Sequence, residues 1–474
     1  MKHGLAALLT ALVVLSVSCS RSLDPGLYQI RTGKTDAFLR IFVDSTGKEA
    51  AILYRNADSL WADTAHVDLK TFKERLQPYE VPDFQRFPER DLYQVQQFEV
   101  GETKNVAYGR TLRNRDGDRE EYNLLLDLYY PVTDRLDARP LLVTIHGGAF
   151  REGDKRDTLL VEWNRYFASL GYVVSSVNYH LGYRSTLTET DDAMFHALKD
   201  ANAAVRFLLK RDSLRIHSGR IFAVGADAGA ITALNLAYFR EENFPATVRE
   251  DGDSLVVVRP SLIRGFDIRA VANLWGAVPD TTILQNAAIP VISFQDRNDP
   301  DIPFEAGYPY DELLKEDTNL LKSILEAILS LFVPEPHPFR EMYGSGTIHR
   351  ILKKSGVPSE LHSFEEGRHN LFYDSKGQID YPRFDEIKEQ TARFFATKMV
   401  TSPVSLRQDP EDEQLFVIDN TEVEACQWQV EGGVIIGKSD DTVRILLFPD
   451  ADVHSVSVSG VYTSGLTFFD TIGL

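Results

Sequence analysis

The 474-residue chain is 43% hydrophobic and carries 70 acidic against 51 basic side chains, a formal charge of -19. That apolar content can build one large domain and at least one small one, which excludes a disordered chain, and the acidic balance argues against a nucleic-acid-binding surface. Two cysteines, Cys19 and Cys426, leave no room for a disulfide framework or a cysteine metal site, and no cofactor is expected.

Residues 1–19 read as an export signal. Lys2 supplies the positive start, residues 5–17 an apolar run too short to span a bilayer, and Ser16-Val17-Ser18 a small-residue cleavage site. The cysteine that follows resembles a bacterial lipoprotein lipobox, although Leu15 stands four residues before it instead of three. The resemblance implies acylation of Cys19 and anchoring in the cell envelope, at the outer membrane; ordinary cleavage beside Ser16 or Ser18 is the alternative. Residues 24–92 then alternate short apolar runs with turns, such as Ser45-Thr46-Gly47-Lys48, and predict a small β elaboration.

From about 95 to 400, apolar strands alternate with helical patterns, the signature of an α/β fold with a largely parallel, doubly wound sheet. Strands are expected at 123–130, 140–145, 172–177, 220–224, 270–274, 290–294 and 359–364, with helices at 159–170 and 191–210 among others. Two insertions interrupt the alternation. Residues 244–258 suggest a surface hairpin, and 313–332 carry an amphipathic stripe that suits a packed cap helix or a lid.

The chemistry-bearing residues follow these strands. His146-Gly147-Gly148 comes directly after the strand at 140–145, where paired glycines let backbone amides face a developing oxyanion. About 80 residues later, Gly225-Ala226-Asp227-Ala228-Gly229 has the form of a nucleophile elbow, with Asp227 at the apex where a serine is expected. The loop after the strand at 290–294 offers Asp299, with Asp296 and Asp301 as competitors. His369 lies just after the last strand of this region, whereas His362 lies within it and reads as structural.

In this order the motifs resemble the carboxylesterase and hormone-sensitive-lipase-like families of the α/β-hydrolase fold, over roughly residues 95–400. The resemblance implies an oxyanion hole from the amides of Gly147, Gly148 and Ala228, with Asp299 and His369 as acid and base. Residues 404–474 shift to short, regularly spaced strands, a small β-sandwich resembling PKD-like, immunoglobulin-like modules that act as spacers or binding units. Cys426 is expected as a buried strand thiol there.

Asp227 changes what the resemblance implies. A serine gives its proton to the histidine as it attacks, whereas an aspartate is already ionised and should hold His369, flanked by Asp227 and Asp299, as imidazolium. The expectation is therefore an exported esterase-like body, catalytically impaired and acting as a surface binding or scaffolding protein. The alternative is an active hydrolase, of carboxylic-ester type or using Asp227 to attack a saturated carbon, as in the haloalkane dehalogenases and epoxide hydrolases that this elbow also resembles. A small-molecule ester, a carbohydrate-linked ligand or a protein partner would suit such a body.

Overall fold

A computed structural model describes residues 26–32, 35–43, 49–55, 76–80, 84, 86, 92–115, 118–134, 136, 138–182, 187–240, 266–285, 288–310, 337–401, 403–448, 451 and 453–474. The leader with Cys19, the turn at 45–48 and the insertions expected at 244–258 and 313–332 lie outside the described residues. Two compact units result, one of Met1–Arg90 with Ser402–Leu474 and the other of Asp91–Thr401.

The first unit begins with β1 (Gly26–Thr32), β2 (Thr35–Val43), β3 (Glu49–Arg55) and β4 (Leu76–Pro78), an antiparallel sheet in the order β3-β2-β1-β4.

In the second unit, β5 (Val100–Arg115) and β6 (Asp118–Pro131) form a long hairpin. There follow β7 (Arg139–Ile145), α1 (Thr158–Ser169), β8 (Val173–Val177), α2 (Leu187–Leu209), β9 (Ile216–Ala226), α3 (Ala228–Tyr238), β10 (Ile268–Leu274) and β11 (Ala277–Val278). The remainder is β12 (Val291–Asp296), β13 (Ala306–Gly307), β14 (Met342–Gly344), α4 (Ser345–Lys354), β15 (Ser359–Phe364) and α5 (Tyr381–Ala396).

Eight strands make the main sheet, in the order β15-β12-β10-β9-β7-β8-β6-β5. Pairing is parallel from β15 to β8 and antiparallel only at β6 and β5. Every residue of β7, β8 and β12 is buried, as expected for parallel strands covered on both faces. Helix α3 is buried along its whole length, which explains why its sequence is apolar and small without an exposed polar stripe. Helices α1 and α5 start on aspartate caps, Asp157 and Asp380, whose carboxylates accept backbone N–H groups of the first turn. This is an α/β-hydrolase fold: a mostly parallel sheet wrapped by helices, with a sharp strand-to-helix turn after β9.

The chain returns to the first unit through β16 (Leu406–Gln408), β17 (Leu415–Ile418), β18 (Val423–Glu431), β19 (Gly433–Lys438), β20 (Thr442–Leu447), β21 (Ser455–Tyr462) and β22 (Thr467–Gly473). Sheets β16-β17-β20-β19 and β18-β21-β22 enclose a core of Leu406, Phe416, Ile418, Trp428, Val443, Ile445, Val456 and Val458. Phe38 of β2 is buried with Val434 and Phe448, so the N-terminal sheet shares a cluster with this region. Cys426 is only partly buried, contrary to the expectation, because β18 presents it toward the 438–441 turn, where its thiol lies 2.9 Å from the Asp440 carbonyl.

Candidate active site

The elbow follows from two close approaches. A Cβ on Gly225 would lie 2.1 Å from the Gly229 backbone, and one on Gly229 would lie 2.1 Å from the Ile145 carbonyl, so only glycine lets α3 pack against β9 and β7. Between them Asp227 takes φ 55° and ψ -121°, a strained conformation for a non-glycine residue. Its own N–H donates to the Leu274 carbonyl at 3.0 Å, and its carbonyl receives the amides of Ala230 and Ile231.

Opposite the elbow, the loop after β7 turns through positive φ at Gly148, Ala149 and Phe150. This aims two amides at Asp227: Gly148 N–H and Ala149 N–H donate to Oδ2 at 2.8 and 2.9 Å. The pair differs from that expected. Gly148 takes part, but Ala149 stands in place of Gly147, because the loop reverses one residue later and Gly147 becomes the wall beside the Asp227 side chain. Ala228 opens α3 and is fully buried, with its carbonyl receiving the Thr232 hydroxyl.

A buried network pins this loop to the sheet. Lys155 is 2% exposed and places Nζ 2.8 Å from Oδ1 of the fully buried Asp127 and 3.0 Å from the Asn105 side-chain oxygen. Its amide donates to the Asn178 side chain and its carbonyl receives the Ser176 hydroxyl. Two buried charges in one pair are stable only when neighbouring groups satisfy them. His146 stacks on Tyr179 at 4.5 Å, and burial pushes its pKa down.

The acid and histidine meet on the other side. His369 Nδ1 lies 2.9 Å from Oδ1 of Asp299, and the same carboxylate oxygen receives the amides of Asp301 and Ile302. The competitors have other tasks. Asp296 accepts the amides of Asn298 and Glu366, fixing the turn before Asp299 to the turn that carries His369; burial pushes its pKa up, but these backbone bonds outweigh burial and hold it low. Asp301 Oδ2 is 3.9 Å from His369 Nδ1. His362 stacks on Phe294 at 4.8 Å, a packing role as expected.

Asp227 and His369 form an ion pair, Oδ1 to Nε2 at 3.6 Å. Burial disfavours the charge on each, but mutual attraction prevails. Asp227 is held down at about 2 by His369, the Tyr310 hydroxyl and the Ala149 amide, and His369 is pushed up to about 10 by Asp227 and Asp299. At neutral pH the histidine is therefore an imidazolium between two carboxylates.

Tyr310, outside every motif, completes the site. Its hydroxyl donates to Asp227 Oδ1 at 2.5 Å from a side chain that is 1% exposed, and its ring packs edge-on against Phe339 at 5.0 Å. A cavity of about 610 Å³ opens over these groups, walled by Leu159, Leu160, Trp275, Phe372 and Tyr373 and by the charged Arg151, Glu152, Asp154, Asp157 and Asp301.

The BD-FAE family model matches residues 126–304. With the sheet order and the elbow, the match supports an esterase-like α/β-hydrolase. Among solved structures, the chain is similar to the apo form of Thermogutta terrifontis esterase 2 at 17% identity, covering 63% of this chain and 94% of that one with a TM-score of 0.39. The cyclosarin-phosphonylated form of that esterase gives 18% identity, the same coverages and 0.39. Its butyrate-bound form gives 17%, 63%, 94% and 0.38. In this chain Asp299 and His369 meet beside an elbow whose apex is the Asp227 carboxylate.

Proposed function

We propose that this chain is an esterase-like α/β-hydrolase body that binds a small molecule in its cavity and does not turn over acyl esters. One observation carries the reading: Oδ2 of Asp227 already occupies the two amides of Gly148 and Ala149 that an ester's oxyanion would need. The hole is filled by a permanent internal anion. His369, paired with Asp227 and Asp299, holds its proton and cannot serve as the base that starts acyl transfer. Attack by the carboxylate itself on an acyl carbon would give a mixed anhydride without general-base assistance.

The cavity favours an uncharged ligand. Its wall carries five carboxylates, Glu152, Asp154, Asp157, Asp227 and Asp301, against Arg151 and His369, so a carboxylate product is repelled. A small ester or a carbohydrate-linked ligand fits this chemistry. Export by the leader and acylation of Cys19 belong to the same proposal, with the C-terminal sandwich as a PKD-like spacer or binding unit. Loss of membrane-fraction recovery in Cys19→Ala tests that part.

The cavity part is tested with p-nitrophenyl acetate and thermal-shift binding. The natural chain should bind neutral esters or aryl glycosides without releasing p-nitrophenol, while carboxylates give no shift. Release of p-nitrophenol by the natural chain, or failure of every neutral ester and aryl glycoside to bind, would overturn the reading.

A further inference from the structure

We propose that Asp200 is a proton-operated latch on the loop whose Gly148 and Ala149 amides hold Asp227, fastening the loop when ionised and loosening it in acid. The inference goes beyond ligand binding and does not depend on what the cavity takes.

The loop rests on a brace, residues 178–182, directly after β8. Asn178 receives the Lys155 amide on its side-chain oxygen at 2.6 Å and donates from Nδ2 to Asp154 Oδ2 at 2.8 Å. The Tyr179 hydroxyl donates to the His146 carbonyl at 3.0 Å, beneath the stack of the two rings. Gly182 N–H donates to the Phe150 carbonyl at 2.8 Å. These contacts, at 146, 150 and 154–155, bracket Gly148 and Ala149 on both sides.

The brace is held in turn from behind. His180 N–H donates to Asp200 Oδ2 at 2.8 Å, and the Tyr108 hydroxyl of β5 donates to the Asn178 carbonyl at 2.7 Å. Asp200 lies on α2 and is 4% exposed. Among the described residues, the titratable groups around it are His196 and Lys199 from α2, His180 from the brace, Tyr122 from β6 and Tyr108 from β5. The rings of His180 and His196 lie 5.0 Å apart, and the Tyr122 hydroxyl meets His180 Nδ1 at 3.3 Å.

Burial pushes Asp200 up to about 7, outweighing the His180 amide and Lys199, which both favour the carboxylate. His196 is pushed down to about 3, by burial and then by His180 and Lys199, and stays neutral. Ionised, Asp200 gives the His180 N–H a charge-assisted bond; protonated, it gives a weaker neutral one. Stability runs the opposite way. Because its folded value lies above the ordinary 3.8, Asp200 contributes in full below 3.8 and loses that contribution as pH rises through about 7. Fastening the loop therefore costs global stability, and the two effects share one midpoint. Asp227 at about 2 and His369 at about 10 keep their charges throughout this range.

The test is amide hydrogen exchange of the ligand-free full chain from pH 5 to 8, corrected for the intrinsic pH dependence of exchange, with urea midpoints over the same range. Protection of peptides spanning 146–155 should rise by about 5-fold or more as pH passes 7, while the urea midpoint falls. Asp200→Asn, uncharged and of the same shape, should show acid-like protection of the loop at every pH and a shallower fall of the midpoint. Protection at 146–155 that does not change with pH, alongside a falling midpoint, would show Asp200 titrating without moving the loop and would overturn the latch. A pH response that persists unchanged in Asp200→Asn would assign it to another group and overturn the latch as well. Should that variant not fold, the two curves of the natural chain decide: a shared midpoint near 7 supports the latch, and separate midpoints overturn it.

Discussion

The two arms of the site are built alike but charged differently. On the Asp299–His369 arm, a carboxylate fixed by two backbone amides orients a histidine at 2.9 Å, an arrangement suited to proton transfer. On the Asp227 arm, the backbone keeps the form of a nucleophile elbow, but the side chain is an anion held by two amides and a phenol. The contrast teaches that backbone geometry positions a reaction centre while the charge at its apex decides which reaction it can support.

The strongest way to break this contrast is to remove the anion. Asp227→Ser should empty the amide pair and free His369, raising p-nitrophenyl acetate hydrolysis over the natural chain by about 100-fold or more. Asp299→Asn added to that variant should return the rate to baseline. Unchanged rates in the serine variant would mean that Tyr310 or the cavity wall, and not the carboxylate, closes the site.

A smaller effect sharpens the electrostatics. In Asp227→Asn, His369 loses one of the two carboxylates that push it up to about 10, so its ring nitrogens, followed by ¹⁵N NMR, should titrate well below that value. The same pair sets a pH window for stability. His369 contributes in full below its ordinary 6.5, and that contribution is lost as pH rises through about 10. Asp227 contributes in full above its ordinary 3.8 and loses it as pH falls through about 2. Urea midpoints of the natural chain should fall from pH 7 to 10, and the decline should be shallower in Asp227→Asn.

The smallest effect is expected at His362. Exchange for Phe keeps the stack on Phe294 and should leave both the His369 titration and ester rates unchanged, since His362 stands on the edge strand β15 and is not part of the cavity wall.

Much of this arrangement was legible in the sequence because it is local. Glycines flanking Asp227, the strands before each loop and the order of Asp227, Asp299 and His369 are patterns within a few residues, and the strand at 359–364 matches β15. What could not be read depends on distance along the chain or on backbone angles. Tyr310 reaches Asp227 across 83 positions and belongs to no motif. Ala149 donates in place of Gly147 because it adopts φ 49°, a conformation more readily assigned to glycine. Strand β5 runs through Glu102-Thr103-Lys104-Asn105, too polar to read as a strand without its partner β6. The cluster joining Phe38 to Val434 and Phe448 is invisible for the same reason, since its members lie at opposite ends of the chain.

The strained backbone at residue 227 has a wider consequence. It persists with aspartate at the apex because glycine contacts on both sides and the Leu274 carbonyl impose it, independently of the side chain. The elbow is thus an interchangeable socket. A side-chain exchange can install a hydroxyl, an amide or a carboxylate there without remodelling the scaffold, so chemistry at this position can be exchanged by evolution or by design faster than the fold around it.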